Sequence, residues 1–221
     1  MIKLEKTEVF GWDHAIRGMR NPLNSWDKSD SEWDGFGRAE GYSIGKNDLD
    51  LMKRLRNAGT DHRKFMRMLT VYVDITAPLY WWKEFDTYKV GTVANSCSTM
   101  HKIHAKEFTV EDFSCEHLFD TPEGVDTKDW YYDTLLSIID VLNAARESYL
   151  VSKEKRYWWQ MIQLLPSSYN QKRTVMLNYE VLANMYKSRK NHKLDEWHEL
   201  CRWIEGLPYS ELITRKDEEN E

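Results

Sequence analysis

From Lys128 onward the sequence is a near-continuous series of helical patterns, and this limits the fold more than any other feature. Lys128 to Ser152 repeats Leu135, Ile138, Ile139, Leu142 and Ala145 at spacings of three and four, which predicts an amphipathic helix. Lys155 to Leu165 predicts a second helix that must end at Pro166, because proline disfavours helical geometry in the residue ahead of it. Arg173 to Ser188, carrying Val175, Leu182 and Tyr186, reads as a third, and Leu194 to Ile204, stopped by Gly206, as a fourth. The other half reads differently. Ile2 to Phe10 sets Ile2 and Leu4 among charged neighbours, a short strand with one buried face. Leu69 to Ile75 is mostly β-branched or aromatic, a strand ending before Pro78. The expected class is therefore α+β, a small antiparallel sheet with a largely helical C-terminal half.

Between those strands, Trp12 to Met19 predicts a brief helix stopping near Gly18 or before Asn21-Pro22. Arg20 to Ser43 reads as an irregular loop with Trp26, Trp33 and Phe36 in a polar background, aromatics that either fold back over a pocket or contact another chain. Asn47 is the expected N-cap of a helix over Asp48 to Ala58, with Leu49, Met52 and Leu55 as its apolar positions. Phe108 to Leu118 is short and mixed, Asp120 to Gly124 reads as a turn, and the tail from Arg215 to Glu221 is charged. Nothing rich in Gly, Ser or Pro divides the 221 residues, so a single domain is expected.

A net charge of -5, from 36 acids against 31 bases, argues against binding along extended nucleic acid, but not against a small anion held by a few arginines. Cys97, Cys115 and Cys201 form no CxxC pair and leave one thiol over after any pairing, which fits a reducing cytoplasm better than a disulfide scaffold or zinc site. No apolar run approaches the roughly 18 to 20 residues of a membrane span, and the N-terminus has no signal-like apolar core. A soluble cytoplasmic protein is the expectation.

The first site candidate is Ala77 to His104. It packs Tyr80, Trp81, Trp82, Phe85 and Tyr88 among Lys83, Glu84, Asp86 and Lys89, then turns at Gly91 into Asn95, Ser96, Ser98 and Thr99. Such mixing of aromatic, charged and small hydroxyl residues is typical of a pocket wall, whereas a structural helix separates them onto opposite faces. Lys83, Lys89, Arg173 and Arg189 supply charge for a phosphate, Asn95 and Ser98 directional hydrogen bonds, and Trp81, Trp82 or Tyr88 a stacking face for a base or flavin ring. Arg17 and Arg20, flanking Gly18, form a second pair able to grip a phosphate. His101 and His104 lie three apart with no third metal ligand at matching spacing, so no metal is expected. Cys97 is a nucleophile only with a cation to lower its pKa, and Glu84 and Asp86 act as acid and base only if buried. No Gly-rich phosphate loop, GxSxG or His-Glu-x-x-His occurs.

These segments follow one another in a familiar order. His62 leads into the strand ending at Ile75, an aromatic helix precedes Asn95-x-x-Ser98, Leu165-Pro166 closes a long helix, and Asn178, Arg189 and Glu196-Trp197 follow. Over roughly Lys53 to Ile213 this resembles the flavin-dependent thymidylate synthase family. The resemblance implies a homotetramer with FAD at subunit interfaces and dUMP beside it, using NADPH and a folate to make dTMP. The family motif runs Arg-His-Arg, two residues, Ser, one residue, Asn, two residues, Ser, one residue, Arg. Asn95 and Ser98 match its Asn and second Ser. Its first Ser falls on Val93, its last Arg on Met100, and its Arg-His-Arg on Tyr88, Lys89 and Val90. The upstream Ser and Glu-His fall near Lys64 and on Met66-Arg67. By the resemblance, Arg173, Arg189, Ser98 and Lys89 bind the nucleotide, and Asn95, Tyr88, Trp82, His62 and Asn178 bind the cofactor.

Three functions compete on these grounds. The chain is an enzyme that binds a pyrimidine deoxynucleotide and a flavin and modifies the base, by methylation or a related reaction. Alternatively it binds a nucleotide without turnover, having lost the Arg-His-Arg, or it is an interaction protein using the loop from Asn21 to Phe36 as a contact surface.

Overall fold

The structure is a computed structural model that describes residues 2–34, 41–118 and 130–215. In chain order its elements are β1 (Lys3–Phe10), α1 (Trp12–Arg20), β2 (Glu32–Trp33), β3 (Tyr42–Ser43), α2 (Lys46–Asn57), β4 (Thr70–Pro78), α3 (Leu79–Phe85) and β5 (Val93–Ser96), then α4 (Trp130–Ser152), α5 (Lys155–Leu164), β6 (Asn170–Asn178), α6 (Tyr179–Arg189), α7 (Asp195–Glu205) and α8 (Glu211–Thr214). A small antiparallel sheet runs in the order β1-β4-β6-β5, and β2 pairs with β3 in a separate antiparallel ladder. The α+β class and the helical C-terminal half are as the sequence predicts. Among the described residues no helix is long and apolar enough to cross a membrane.

The chain divides into two compact units. One comprises Met1–Lys3, Ile75–Thr87 and Asn95–Arg173. Its core joins Leu135, Ile139, Leu142 and Ala145 of α4 to Met161 of α5 and to Ile103, Phe108 and Phe113. Asn143 ties the loop to the helix, accepting from the Phe108 amide and donating to the Phe108 carbonyl, both at 2.9 Å. Trp81, Trp82 and Phe85 of α3 are buried and pack with ring centroids 4.9 to 5.1 Å apart. An aromatic helix is thus core here, with its charged Lys83 pointing out.

The other unit comprises Leu4–Asp74, Tyr88–Ala94 and Thr174–Glu221. Ile16, Met52, Leu69, Leu182, Trp197 and Leu212 are buried in it. Gly11 sits at φ 98 ahead of α1, with no room for a β-carbon against the Met68 carbonyl, so only glycine makes this turn. Asp48, fully buried, accepts from Arg20 Nε at 2.6 Å on one oxygen, and from the Ser29 and Ser31 hydroxyls and the Asp30 amide on the other. Arg20 in turn donates to the Ser25 and Lys28 carbonyls. This network organises residues 20–31, which contain two 3₁₀ turns where a featureless loop is expected.

Four expectations are corrected. Asn47 does not cap α2: the helix begins at Lys46, and the Asp30 carboxylate accepts from the Asn47 and Asp48 amides instead. A distant side chain reaches the orphan amides that a local one was expected to satisfy. The buried face of α2 is Asp48, Leu51, Met52 and Arg56 rather than one centred on Leu49 and Leu55. Pro78 ends β4 from within it. Arg173 to Ser188 is not one helix, because β6 runs to Asn178 and α6 starts only at Tyr179. Gln171, Val175 and Leu177 point inward at the even spacing of a strand, while Asn178 accepts from the Val181 amide at 3.1 Å and so starts α6. The helix and strand periods coincide at Val175, which is why one pattern conceals the other. Phe36, the turn from Asp120, Lys128 and the tail after Arg215 lie outside the described residues.

Candidate functional site

In the unit that holds α3 to α5, Arg173 is the centre of a tightly matched cluster. Its guanidinium lies 4.0 Å over the Trp82 ring, its Nε donates to Gln171 Oε1 at 2.9 Å, and its Nη1 donates to Asp86 Oδ1 at 2.7 Å. Trp82 donates its indole N–H to the Gln171 carbonyl at 3.0 Å, and Gln171 Nε2 donates to the Cys97 carbonyl at 2.9 Å. Trp82 therefore has no open face, since Arg173 covers it on one side and Trp81 and Phe85 pack about it. Arg173 itself is 14% exposed and already neutralised by Asp86, which is 51% exposed. A phosphate reaching this arginine must therefore meet or displace a carboxylate. Asp86 also fails the burial condition for an acid or base.

Asn95 and Cys97 are exposed at and after the end of β5, and the Cys97 amide donates to the Lys172 carbonyl at 2.9 Å. The Ser98 hydroxyl accepts from the His101 amide at 2.9 Å. A cavity of ≈ 270 Å³ opens here, lined by Thr76, Cys97, Ser98, Thr99, Lys106, Glu111, Asp112, Tyr169, Asn170, Gln171 and Lys172. Lys106 pairs with Asp112 at its edge. Burial, then the Asp112 and Cys97 charges, push the Tyr169 phenol above its ordinary range, so it stays a neutral donor. His104 is half-buried with its ring 4.9 Å from Tyr149, and His101 is exposed. Among the described residues no group of three or more His, Cys, Asp or Glu could hold a metal ion.

In the other unit, Tyr88 and Arg189 meet. Arg189 Nε donates to the Tyr88 hydroxyl at 3.0 Å, and its guanidinium lies 4.6 Å over the Trp197 ring and 5.7 Å over Tyr88. Trp197 is fully buried, 6.1 Å from Tyr88 and 6.2 Å from His192. An aromatic floor of this kind holds a guanidinium flat against the rings. Lys89, next in sequence, is exposed. Asn178 spends its carbonyl oxygen on α6, and its amide group lies where a side chain at Gly91 would be, with Gly91 at φ 78. His62 is exposed at the start of a 3₁₀ turn. Arg17 is bound up with His14, and Arg20 with Asp48, so neither is poised for phosphate.

Neither the residues nor the resemblance pairs Tyr88 with Arg189 or Trp82 with Arg173; the fold makes both contacts. Trp197 and Gln171 are the residues that direct reading undervalues. A tryptophan on a helix face reads as core, which Trp197 also is, and nothing local marks Gln171 as the residue that holds both Arg173 and Cys97.

The fold is that of the flavin-dependent thymidylate synthases. A ThyX structure from Helicobacter pylori, complexed with FAD and dUMP, superposes with a TM-score of 0.66 at 17% identity over 97% of this chain and 98% of that one. A second ThyX structure from the same organism, also with FAD and dUMP, gives 0.67 at 17% identity over 98% of both chains. The UMP/dUMP methylase PolB from Streptomyces cacaoi, bound with 5-Br dUMP, gives 0.58 at 14% identity over 93% of this chain and 89% of that one. No protein-family model matches the sequence, and no curated protein matches it.

Proposed function

We propose that this protein binds a pyrimidine deoxynucleoside monophosphate of the dUMP kind and modifies its base, by methylation or a related reaction, with FAD as cofactor. The observation that carries the reading is Arg189 held flat on Trp197 and bonded to Tyr88, in a fold whose solved relatives hold dUMP. Arg189 and Lys89 take the phosphate. Ser98 and Arg173, the other residues the resemblance offers for the nucleotide, belong to the other unit, where Asp86 already neutralises Arg173.

The flavin fit is narrower than the sequence implies. Trp82 and Asn178 are committed to internal contacts and Tyr88 is bonded to Arg189, while Asn95 in one unit and His62 in the other are exposed. When bound, FAD would supply the redox capacity; this chain would orient the nucleotide. The rest of the flavin site then comes from another copy of the chain. Exposed Trp130, Tyr131, Val141 and Val151 on α4, and Trp159 and Leu164 on α5, give those helices apolar surface of the kind that subunit contacts cover. The protein should therefore sediment as a multiple of its 26.4 kDa chain mass.

The deciding experiment is calorimetric titration with dUMP. Arg189→Ala should weaken binding about tenfold or more, the loss of a charge-assisted contact to phosphate. Arg189→Lys should fall between, keeping the charge and losing the flat stack. Unchanged affinity in a folded Arg189→Ala protein refutes the nucleotide site. FAD is followed separately by visible absorbance after unbound flavin is removed, and a colourless protein that still binds dUMP refutes only the flavin part.

A further inference from the structure

The described residues hold a large cavity that the nucleotide reading does not use. It measures ≈ 880 Å³, within the range of about 300 to 1,000 Å³ that small-molecule sites occupy, and lies among β1, α1, the start of β4 and the β2-β3 ladder, all within one compact unit. Trp33 and Tyr42, edge to face at 4.9 Å, and Phe10 and Tyr72, at 6.2 Å, line it. Trp12 and Tyr209, 5.1 Å apart, also line it. Phe10 is 52% exposed and Tyr72 42%. The tryptophan-bearing segment that the sequence singles out thus places Trp33 on a pocket wall, while Trp26 stays outside, its indole bonded to Asn21 at 2.9 Å.

The polar groups at this cavity include a carboxylate. Asp13 and His14 line it. Among the described residues Asp13 pairs with Arg17 at 3.9 Å and His14 at 3.6 Å, both beyond hydrogen-bond length, while Arg17 donates to His14 Nδ1 at 2.6 Å. The Tyr42 phenol is pushed above its ordinary range first by burial and then by Asp48 and Asp13, with Arg17 opposing, and the two carboxylates attract positive charge. Aromatic faces do likewise, because their quadrupoles attract cations.

We propose that this cavity is a second ligand site, taking a small planar heteroaromatic cation stacked between the two aromatic pairs, with its charge facing Asp13. The stacking surface selects a flat ring system, and the carboxylate selects its charge. Binding is non-covalent and independent of the nucleotide.

The test uses proflavine, a planar tricyclic cation at neutral pH, followed by the anisotropy of its own fluorescence on the full-length protein, with neutral acridine as the uncharged counterpart. Proflavine should bind saturably at one site per chain. Asp13→Asn should weaken proflavine about tenfold and leave acridine unchanged, and Tyr72→Ala should weaken both. Arg189→Ala should alter neither, which separates this site from the nucleotide site. Tyr72 is exposed, so its variant should fold, and matching urea midpoints will verify that for each protein. No saturable binding, or binding that neither Asp13→Asn nor Tyr72→Ala affects, overturns the proposal. So does a change in sedimenting mass on Tyr72→Ala without proflavine binding, which would assign the wall to a second copy of the chain.

Discussion

Asp48→Asn is expected to cost about 3 to 5 kcal/mol of stability, read as a drop in the urea unfolding midpoint. The change keeps the shape of the side chain and removes its charge, leaving Arg20, 4% exposed, without its counter-ion. It also weakens three other acceptor bonds at once, from Ser29, Ser31 and the Asp30 amide. Burial by itself opposes ionisation of Asp48. The hydrogen bonds from Ser31, Ser29, Arg20 and Asp30 outweigh it and hold the carboxyl below its ordinary range. The sign for pH follows. A group whose pKa is lower folded than unfolded stabilises fully above its unfolded pKa, about 3.9 for aspartate, and loses that contribution as pH falls through the lower folded value. The wild-type acid limb should therefore be steeper than that of Asp48→Asn. Replacing both partners, with Asp48→Leu and Arg20→Met together, should recover much of the loss, because apolar packing avoids the desolvation of two charges. If Asp48→Asn costs under about 1 kcal/mol, the ion pair does not organise residues 20–31.

Trp82→Ala should be comparably severe, with an expected loss of about 3 to 5 kcal/mol from the cavity it leaves. Trp82 is essentially fully buried, stands edge-on to Trp81 and Phe85, and donates to the Gln171 carbonyl. Its removal also takes away the surface beneath Arg173. Trp82→Phe keeps most of the volume and loses the N–H bond, so it should cost less. The comparison discriminates between the two roles available to this residue. A cofactor-stacking tryptophan would lower ligand affinity with the unfolding midpoint intact, whereas the packing seen here requires the midpoint to fall first.

That contrast shows where sequence reading loses its grip. Leu135, Ile139, Leu142 and Ala145 are legible because a helix writes its buried face at a fixed spacing, and Pro166 and Gly206 stop helices through their own backbone chemistry. Leu69 to Ile75 is legible for the same reason, since β-branched residues suit a buried pleat. β6 is not legible, because Val175 and Leu182 satisfy a helical spacing while Gln171, Val175 and Leu177 satisfy a strand, and only pairing between β4 and β5 decides. The candidate site divides along the same line. Order and spacing pick out Arg173, Arg189, Asn95 and Ser98, but an arginine's value as an anion site depends on what already holds it.

By itself the sequence determined the class, a small sheet with a helical second half, because periodicity and helix stops are local properties. It also determined which residue types were at hand for a nucleotide. Tertiary structure alone decided that Arg173 faces Asp86 while Arg189 lies on Trp197 beside Tyr88, that Asp30 rather than Asn47 caps α2, and that Trp33 lines a cavity while Trp26 does not. Each of those outcomes pairs groups from separate segments, and the free energy of such a pair depends on distance and burial, which spacing along a chain does not encode.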